Sequence, residues 1–250
     1  MRSLRTLIRL PWLAVHLGVF MPLLVLGLTF PGSRRMAWNG ESLHSRLIRH
    51  WSAGLLSVFG FRVRRFGTPL PGAVLFVANH VSWVDIEVIH SQVWAGFVSK
   101  AEVQKWPFLG WLSGLGGTMY HHRGSQDSLH GVMHQMVARL QEGRPIAVFP
   151  EGKTLSGEAI GVFHARIFQP AVLADVPTQP VALRYGVGGD AQTIVAFQAG
   201  EHFLSNFFRL LGEPSRTAEV HFLEPISAAE DGRRRLAETC RERIIAAMAR

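Results

Sequence analysis

Apolar residues dominate the first sixty positions and indicate two helices. Residues 10–30 contain no Asp, Glu, Lys or Arg, and a helix of this length, rising about 1.5 Å per residue, matches a hydrocarbon core of about 30 Å. Two arrangements fit this segment: a single span, or a shallow helix bent at Pro22 and held from one leaflet. Residues 30–35 read as a turn without a small-residue cleavage site, so we expect an anchor rather than a cleaved signal peptide.

Residues 36–60 repeat apolar side chains at three- and four-residue steps, which predicts an amphipathic helix. The apolar positions are Trp38, Leu43, Leu47, Trp51, Leu55 and Val58. Such a helix packs on a core or lies on a membrane surface, and its place next to the apolar anchor favours the membrane surface. Arg62, Arg64 and Arg65 follow it and add charge for phosphate head groups.

From residue 73 onward, short apolar runs alternate with longer amphipathic segments, and this alternation predicts an α/β layer fold. The predicted strands are 73–78, 96–99, 117–121, 146–149, 179–185, 192–197 and 218–223. The predicted helices are 85–93, 125–142, 164–175, 200–211 and 228–249, the last opening with the capping-box pattern Ser227-Ala228-Ala229-Glu230. We expect two parts, membrane-anchoring helices over residues 1–60 and an α/β domain over residues 61–250.

Composition adds a preference for an anionic partner. The chain of 250 residues is 48% hydrophobic and carries a formal net charge of +8, which calls for a membrane surface or a nucleic acid. Basic and aromatic residues do not interleave regularly, so anionic membrane lipid is the expected partner and nucleic acid is not. The single cysteine, Cys240, excludes an intrachain disulfide and a cysteine-rich metal site.

Two histidine pairs suggest a metal, but neither has a convincing pattern. His121 and His122 are adjacent, and neighbouring side chains on a strand point to opposite faces. His130 and His134 have the spacing of two ligands on a helix, yet no glutamate lies between them as in HEXXH. We therefore expect no metal site.

The candidate catalytic residues, His80 and Asp85, follow the first predicted strand of the domain. On one helix, five residues at about 100° each would put the two side chains about 140° apart. They can pair only if His80 precedes the helix and Asp85 lies in its first turns. The carboxylate would then fix the imidazole tautomer and leave the other nitrogen free to accept a proton. The alternative is a histidine near a helix start, with Asp85 as a first-turn acid favoured by the helix dipole.

A second candidate segment follows the apolar run 146–149 and reads Pro150-Glu151-Gly152-Lys153. A strand followed by a tight turn, a glycine and a lysine suits a loop whose backbone N–H groups and ammonium face an anion. The alternative is an ordinary turn that closes a strand.

Together these segments resemble the glycerolipid acyltransferases, including the 1-acylglycerol-3-phosphate acyltransferases. That family has a histidine with an aspartate five residues on, and a later Phe-Pro-Glu-Gly. The stretch from Lys100 to Gly110, the block 117–123 and the segment 176–182 are similar to further blocks of the family, and all lie in its order between residues 73 and 185. The resemblance implies a mixed, mostly parallel sheet flanked by helices, preceded by a membrane-associated helical segment.

The resemblance also implies the reaction. A fatty acyl group passes from acyl-CoA or acyl-carrier protein to the hydroxyl of a lysolipid, most often 1-acyl-sn-glycerol-3-phosphate, in phospholipid biosynthesis and without a cofactor. His80 would be the base, and Asp85 would orient it. The implied substrate-binding residues are Arg123, at the arginine that holds the acceptor phosphate, and Glu151, Gly152, Lys153 and Lys100. Four residues either line an acyl groove or pack in the core, namely Trp106, Phe108, Leu109 and Trp111.

Both donors are cytosolic, so the resemblance places the active site on the cytoplasmic face of the inner membrane. A basic surface there could also recruit the acidic acyl-carrier protein.

One departure from the family concerns the acceptor. The family often continues Phe-Pro-Glu-Gly with Thr-Arg-Ser, whereas Lys153-Thr154-Leu155 follows here. A lysine is a point charge and does not replace a bidentate guanidinium, so acylation of another lysolipid, such as lyso-ornithine lipid, is an alternative. Two alternatives come from other classes: a non-catalytic protein that binds membrane surfaces, and a lipid hydrolase in which His80 activates water.

Overall fold

The computed structural model describes residues 1–107, 109–122, 124–227 and 232–249. The α-helices are α1 (Arg2–Val15), α2 (Met21–Thr29), α3 (Leu43–Val58), α4 (Val84–His90), α5 (Ala101–Gln104), α6 (Leu109–Leu115), α7 (Gln126–Gln141), α8 (Gln169–Ala174), α9 (Gln192–Val195), α10 (Phe203–Leu211) and α11 (Gly232–Met248). The strands are β1 (Ala37–Trp38), β2 (Glu41–Ser42), β3 (Phe61–Phe66), β4 (Leu75–Ala78), β5 (Gly96–Lys100), β6 (Met119–His121), β7 (Ile146–Val148), β8 (Thr178–Tyr185) and β9 (Arg216–Phe222).

A seven-stranded sheet forms the centre of the described part of the chain, in the order β3-β9-β8-β4-β7-β5-β6. The strands from β8 to β6 are parallel to one another. By contrast, β9 runs antiparallel to β8 and pairs in parallel with the edge strand β3. Every residue of β4 and β8 is buried, as is usual for strands covered on both faces. The predicted mixed, mostly parallel sheet flanked by helices is confirmed.

The prediction of a strand over residues 192–197 is wrong, because α9 begins at Gln192. The Gln192 side chain accepts the N–H of Tyr185 and donates to the carbonyl of Leu183 at the end of β8.

Strand β3 was not expected, since its alternating arginines are typical of a charged surface segment. They are exposed because β3 is an edge strand, where charged side chains block pairing with another chain.

The helix predicted over residues 36–60 begins only at Leu43. Before it, β1 and β2 form a short hairpin, and Ser42 caps the helix by accepting the N–H of Ser45. Helices α5 and α6, between residues 101 and 115, were not predicted. Residues 228–230 of the capping box expected before α11 lie outside the described residues.

The N-terminal helix is continuous from Arg2 to Thr29, and it is the one helix of the described residues that is long and apolar enough to cross a membrane, by length and composition. A π-helical turn over His16–Phe20 joins α1 to α2 just before Pro22. Proline cannot donate a hydrogen bond and its ring crowds the preceding turn. The helix therefore continues past Pro22 after a locally wider turn, and its inner residues Leu13, Leu24 and Leu28 are buried against the rest of the chain.

Three arginines of α1 bind the end of α10. Arg5 donates to the carbonyl of Gly212 at 2.8 Å, and Arg9 donates to the carbonyls of Leu211 and Glu213 at 2.9 and 2.7 Å. Arg2 reaches the carbonyl of Arg209 at 3.3 Å. The last carbonyls of a helix lack partners within it and attract cations. These arginines therefore cap α10.

Candidate active site

The candidate site lies at one edge of the sheet. In parallel strands the carboxyl ends meet at the same edge, so the residues that follow or end β4, β5, β7 and β8 come together there. His80 follows β4, Lys100 ends β5, Glu151 follows β7, and Tyr185 ends β8. The strand order thus gathers residues that are more than a hundred positions apart in the sequence.

His80 and Asp85 form a hydrogen-bonded pair. His80 precedes α4 and Asp85 lies in the first turn of this helix, and the distance from His80 Nδ1 to Asp85 Oδ2 is 2.8 Å. Because an ionised carboxylate only accepts hydrogen bonds, the imidazole proton lies on Nδ1 and Nε2 can accept another. The His80 side chain is 16% exposed and the Asp85 side chain is fully buried. This is the geometry of a general base.

The Asp85 carboxylate has a full set of donors. Oδ2 also accepts the N–H groups of Val81 and Ser82 at 2.7 and 2.9 Å, and the phenol of Tyr185 donates to Oδ1. Burial of an ionised carboxylate is costly unless hydrogen bonds compensate for the lost water. Four donors provide that compensation, and three of them belong to the turn from His80 to Asp85 itself.

Phe149 fixes the plane of the imidazole. Its ring lies parallel to that of His80, with the ring centroids 3.9 Å apart and an interplanar angle of 11°. Phe97 also stacks on Phe149, with a centroid distance of 5.6 Å. The imidazole is therefore held on an aromatic stack as well as by its bond to Asp85.

Glu151 connects the Pro-Glu-Gly turn to the turn from His80 to Asp85. Its Oε1 accepts the backbone N–H of His80 and its Oε2 accepts that of Gly161, both at 2.9 Å. The backbone N–H of Leu155 donates to the carbonyl of His80 at 3.0 Å. Burial raises the pKa of the Glu151 carboxyl, and the two backbone donors oppose that rise. Because Glu151 contacts backbone groups, its direct effect is to position His80 and the loop over residues 151–161.

Known proteins of similar sequence identify the family of this chain. Residues 63–184 match the family model described as Acyltransferase. The chain is also 37% identical to a lyso-ornithine lipid O-acyltransferase of Pseudomonas aeruginosa over 202 residues, which are 81% of this chain and 78% of that relative. The chain belongs to the acyltransferase family. The family resemblance found in the sequence is thereby confirmed.

Two further proteins are similar to this acyltransferase. It is 32% identical to a 1-acyl-sn-glycerol-3-phosphate acyltransferase of Neisseria gonorrhoeae, over 68% of this chain and 67% of the relative. The solved structure of the 1-acyl-sn-glycerophosphate acyltransferase PlsC from Thermotoga maritima aligns with a TM-score of 0.73 at 19% identity, over 100% of this chain and 99% of that one. At that identity, the likeness establishes a shared fold.

The other predicted substrate-binding residues of the acyltransferase are exposed, or lie outside the described residues. Gly152 and Lys153 are exposed and directly follow Glu151, and Gly152 has a φ of 70°, which favours glycine. Lys100 is exposed at the end of β5. Arg123 lies outside the described residues. The exposed lysines can meet an anionic head group at this edge of the sheet.

The predicted acyl-groove residues lie on or near the surface. Trp106, Leu109 and Trp111 are exposed, and Phe108 lies outside the described residues. The ring of Trp106 contacts that of Phe203 at 5.4 Å between centroids, and Phe203 contacts Trp83, in the turn from His80 to Asp85, at 6.0 Å. A series of partly exposed aromatic rings therefore connects Trp106 to this turn.

Four residues that contact or support the turn from His80 to Asp85 were not identified in the sequence analysis: Phe149, Tyr185, Trp83 and Asn206. Phe149 belongs to the Phe-Pro-Glu-Gly block, which the sequence analysis identified, but its stacking on His80 was not predicted. Trp83 Nε1 donates to Asn206 Oδ1 at 3.0 Å, a contact between residues 123 positions apart. In the described ranges, no group of three or more His, Cys, Asp or Glu side chains could hold a metal ion.

Proposed function

We propose that this acyltransferase moves a fatty acyl group from a thioester donor to the free hydroxyl of a lysolipid. The proposal rests on the His80 imidazole, which bonds the buried Asp85 through Nδ1 and can accept a proton at Nε2. The acceptor hydroxyl is the group that needs such a base, because an alcohol is a weak nucleophile until its proton is removed.

The proposed reaction needs one proton acceptor and no covalent enzyme intermediate. His80 Nε2 takes the hydroxyl proton as the oxygen attacks the thioester carbonyl. The new C–O bond forms, the C–S bond breaks, and the imidazolium returns the proton to the departing thiolate. Asp85 stabilises the imidazolium throughout. The thioester is already activated, so the reaction requires no cofactor besides this co-substrate.

The donor is proposed to be acyl-CoA or acyl-carrier protein. Both carry negative charge, and the exposed arginines of β3, Arg62, Arg64 and Arg65, give one flank of the sheet a positive surface. Electrostatic attraction of this kind mainly raises the association rate and weakens with salt. Supplying each thioester separately in the assay below distinguishes the two donors.

Two acceptors are supported, and they differ in charge. The Pseudomonas aeruginosa relative, named for lyso-ornithine lipid, has higher identity over more of this chain than the Neisseria gonorrhoeae relative named for 1-acyl-sn-glycerol-3-phosphate. Thr154 stands where the family resemblance expects the arginine of Thr-Arg-Ser. We therefore propose lyso-ornithine lipid as the preferred acceptor. Lysophosphatidic acid, the first expectation from the sequence, is the second candidate, supported by the cation Lys153.

The acceptor assay uses purified protein in detergent, a labelled acyl thioester, and the two lysolipids in parallel. We expect a higher kcat/KM with lyso-ornithine lipid. Thr154→Arg should raise kcat/KM for lysophosphatidic acid about tenfold or more, because a guanidinium can bind the phosphate through two hydrogen bonds.

Ser156→Arg is the matched control, since it adds the same charge at an exposed site in the same loop. Preference of the parent protein for lysophosphatidic acid would favour the second candidate. Release of free fatty acid without any acceptor would instead indicate a hydrolase.

The N-terminal helix is proposed to lie along the inner membrane on its cytoplasmic side, with residues 1–60 as the anchor. Its outward face is apolar and exposed, at Leu4, Leu7, Ile8, Leu10, Trp12, Val15, Val19, Phe20, Leu23, Leu26 and Phe30. Its inward face packs on α3 and α10 from one end to the other, at Arg2, Leu13 and Leu28 among others. A spanning helix would have to give up these contacts, so one leaflet is the better fit.

Cysteine labelling tests this arrangement. Ser3→Cys, Arg35→Cys and Glu158→Cys each introduce an exposed thiol, at the start of α1, after α2 and in the loop following Glu151. We expect a membrane-impermeant maleimide to label all three in inverted inner-membrane vesicles and none in intact spheroplasts.

The parent protein is the control, because its one cysteine, Cys240, is buried. Labelling of residues 3 and 35 from opposite sides would establish a spanning helix instead.

A further inference from the structure

Tyr185 is a buried residue at the sheet edge that carries His80. The proposed reaction does not use it directly. It ends β8, has no exposed surface, and its phenol donates to Asp85 Oδ1. Its backbone is fixed on both sides, because its N–H donates to Gln192 Oε1 and its carbonyl accepts the N–H of Ala191, each at 3.0 Å. The phenol therefore meets the carboxylate from a rigid strand end.

The hydroxyl is what distinguishes Tyr185 from a packing residue. Its ring lies against Phe61, with a centroid distance of 5.9 Å, and a phenylalanine could make that contact equally well. A buried hydroxyl is unfavourable without a partner, and Asp85 Oδ1 is the partner here. The Tyr185 hydroxyl therefore has its hydrogen-bond partner in Asp85, the carboxylate that orients His80.

We propose that Tyr185 is a positioning residue that holds Asp85 ionised, with Oδ2 toward His80, and so sets the pH at which the pair accepts a proton. The inference rests on the proposed function of His80 as the base. Donation to Oδ1 draws negative charge away from Oδ2, so the pair binds a proton less tightly than it would without the phenol. At neutral pH, more of the enzyme then has Nε2 free to accept the hydroxyl proton.

The phenol can keep this role over a wide pH range. Burial and the neighbouring Asp85 charge raise the pKa of Tyr185 well above its ordinary value, so it remains a donor. Glu151, which accepts the N–H of His80, is a charged group next to the pair. It is unchanged in the variants below, so it does not explain a difference between them.

Tyr185→Phe removes the hydroxyl and tests the inference. We expect the acid limb of the kcat/KM profile to move about one unit to higher pH, because a proton bound to the pair is no longer opposed by the phenol. We expect kcat at the optimum to fall about tenfold. Thr178→Val is the matched control: it removes a buried hydroxyl with no hydrogen-bond partner among the described residues, at the other end of β8, and its pH profile should match that of the parent.

A readout independent of turnover separates this inference from the proposed function. The rate at which diethyl pyrocarbonate modifies His80, followed by mass spectrometry of its peptide, reports the protonation of the pair directly. In Tyr185→Phe the midpoint of this rate should move to higher pH. In an Asp85→Asn background the same substitution should have no such effect, because Tyr185 acts through Asp85.

Superimposable titrations of the parent and Tyr185→Phe would overturn the inference, even if kcat or stability changed. Transfer that persists in a His80 variant would overturn the proposed function and leave the titration result standing.

If Tyr185→Phe does not fold, 3-fluorotyrosine replaces the substitution. The chain has two tyrosines, so a Tyr120→Phe background confines the label to residue 185. The stronger phenol donor should move the acid limb to lower pH, and an unchanged limb would contradict the inference.

Discussion

Replacing His80 by alanine is expected to lower kcat for acyl transfer about a hundredfold to ten-thousandfold, with the fold intact. A positioned general base contributes about this much, and alanine leaves no group that can take the hydroxyl proton. The assay with the labelled thioester and either lysolipid measures the loss. Circular dichroism and the melting temperature in detergent report whether the protein remains folded.

His134→Ala is the control for this experiment. His134 is exposed on α7, so its removal should leave the rate within about twofold, as is usual for surface substitutions. Activity of folded His80→Ala within a few fold of the parent would rule out His80 as the base.

Asp85→Asn should lower kcat about a hundredfold or more. The asparagine oxygen can take the place of Oδ2 and still accept from His80 Nδ1, Val81 and Ser82, which turns the NH₂ group toward the Tyr185 phenol. The imidazolium that forms during the reaction then has no negative charge beside it, and this loss of stabilisation lowers the rate. The pH dependence of kcat/KM should change as well, since the pair has lost its negative charge.

Asp127→Asn is matched to Asp85→Asn in helix position. Both aspartates lie in the first turn of a helix, but Asp127 is exposed at the start of α7. If Asp85 acted only through the helix dipole, the two substitutions would have similarly small effects. A large loss confined to Asp85→Asn separates orientation of the imidazole from helix stabilisation.

The contact between His80 and Asp85 could be predicted because its geometry is local. The spacing of His80 and Asp85 allows a contact only when a helix begins between them, and α4 begins at Val84. The apolar run before His80 identified β4, whose burial on both faces leaves no alternation to read. The order of the blocks along the chain then identified the family.

The supports of the pair could not be predicted, because they come from distant parts of the chain. Tyr185 reaches Asp85 across a hundred positions and Glu151 reaches His80 across 71. Such contacts depend on the strand order, with β8 and β7 on either side of β4. The family resemblance implies that Glu151 binds a substrate, and this stays a prediction. The structure adds that its carboxylate accepts the backbone N–H groups of His80 and Gly161.

Local sequence patterns gave wrong predictions where tertiary contacts determine the structure. Residues 192–197 contain β-branched residues typical of a strand. Instead, Gln192 accepts the N–H of Tyr185 at the end of β8, and α9 begins at Gln192. In β3 the alternation of Arg62, Val63 and Arg64 is that of an edge strand, which only its pairing with β9 reveals.

The capping of α10 by α1 has a practical meaning for protein engineering. Asn206 of α10 holds Trp83 in the turn that carries His80, while Arg5 and Arg9 satisfy the carbonyls at its far end. A shortened, detergent-free enzyme made by removing α1 would lose this support beside the turn that carries His80. Solubility is better obtained by exchanging the outward leucines of the first helix for polar residues while its inward arginines are kept.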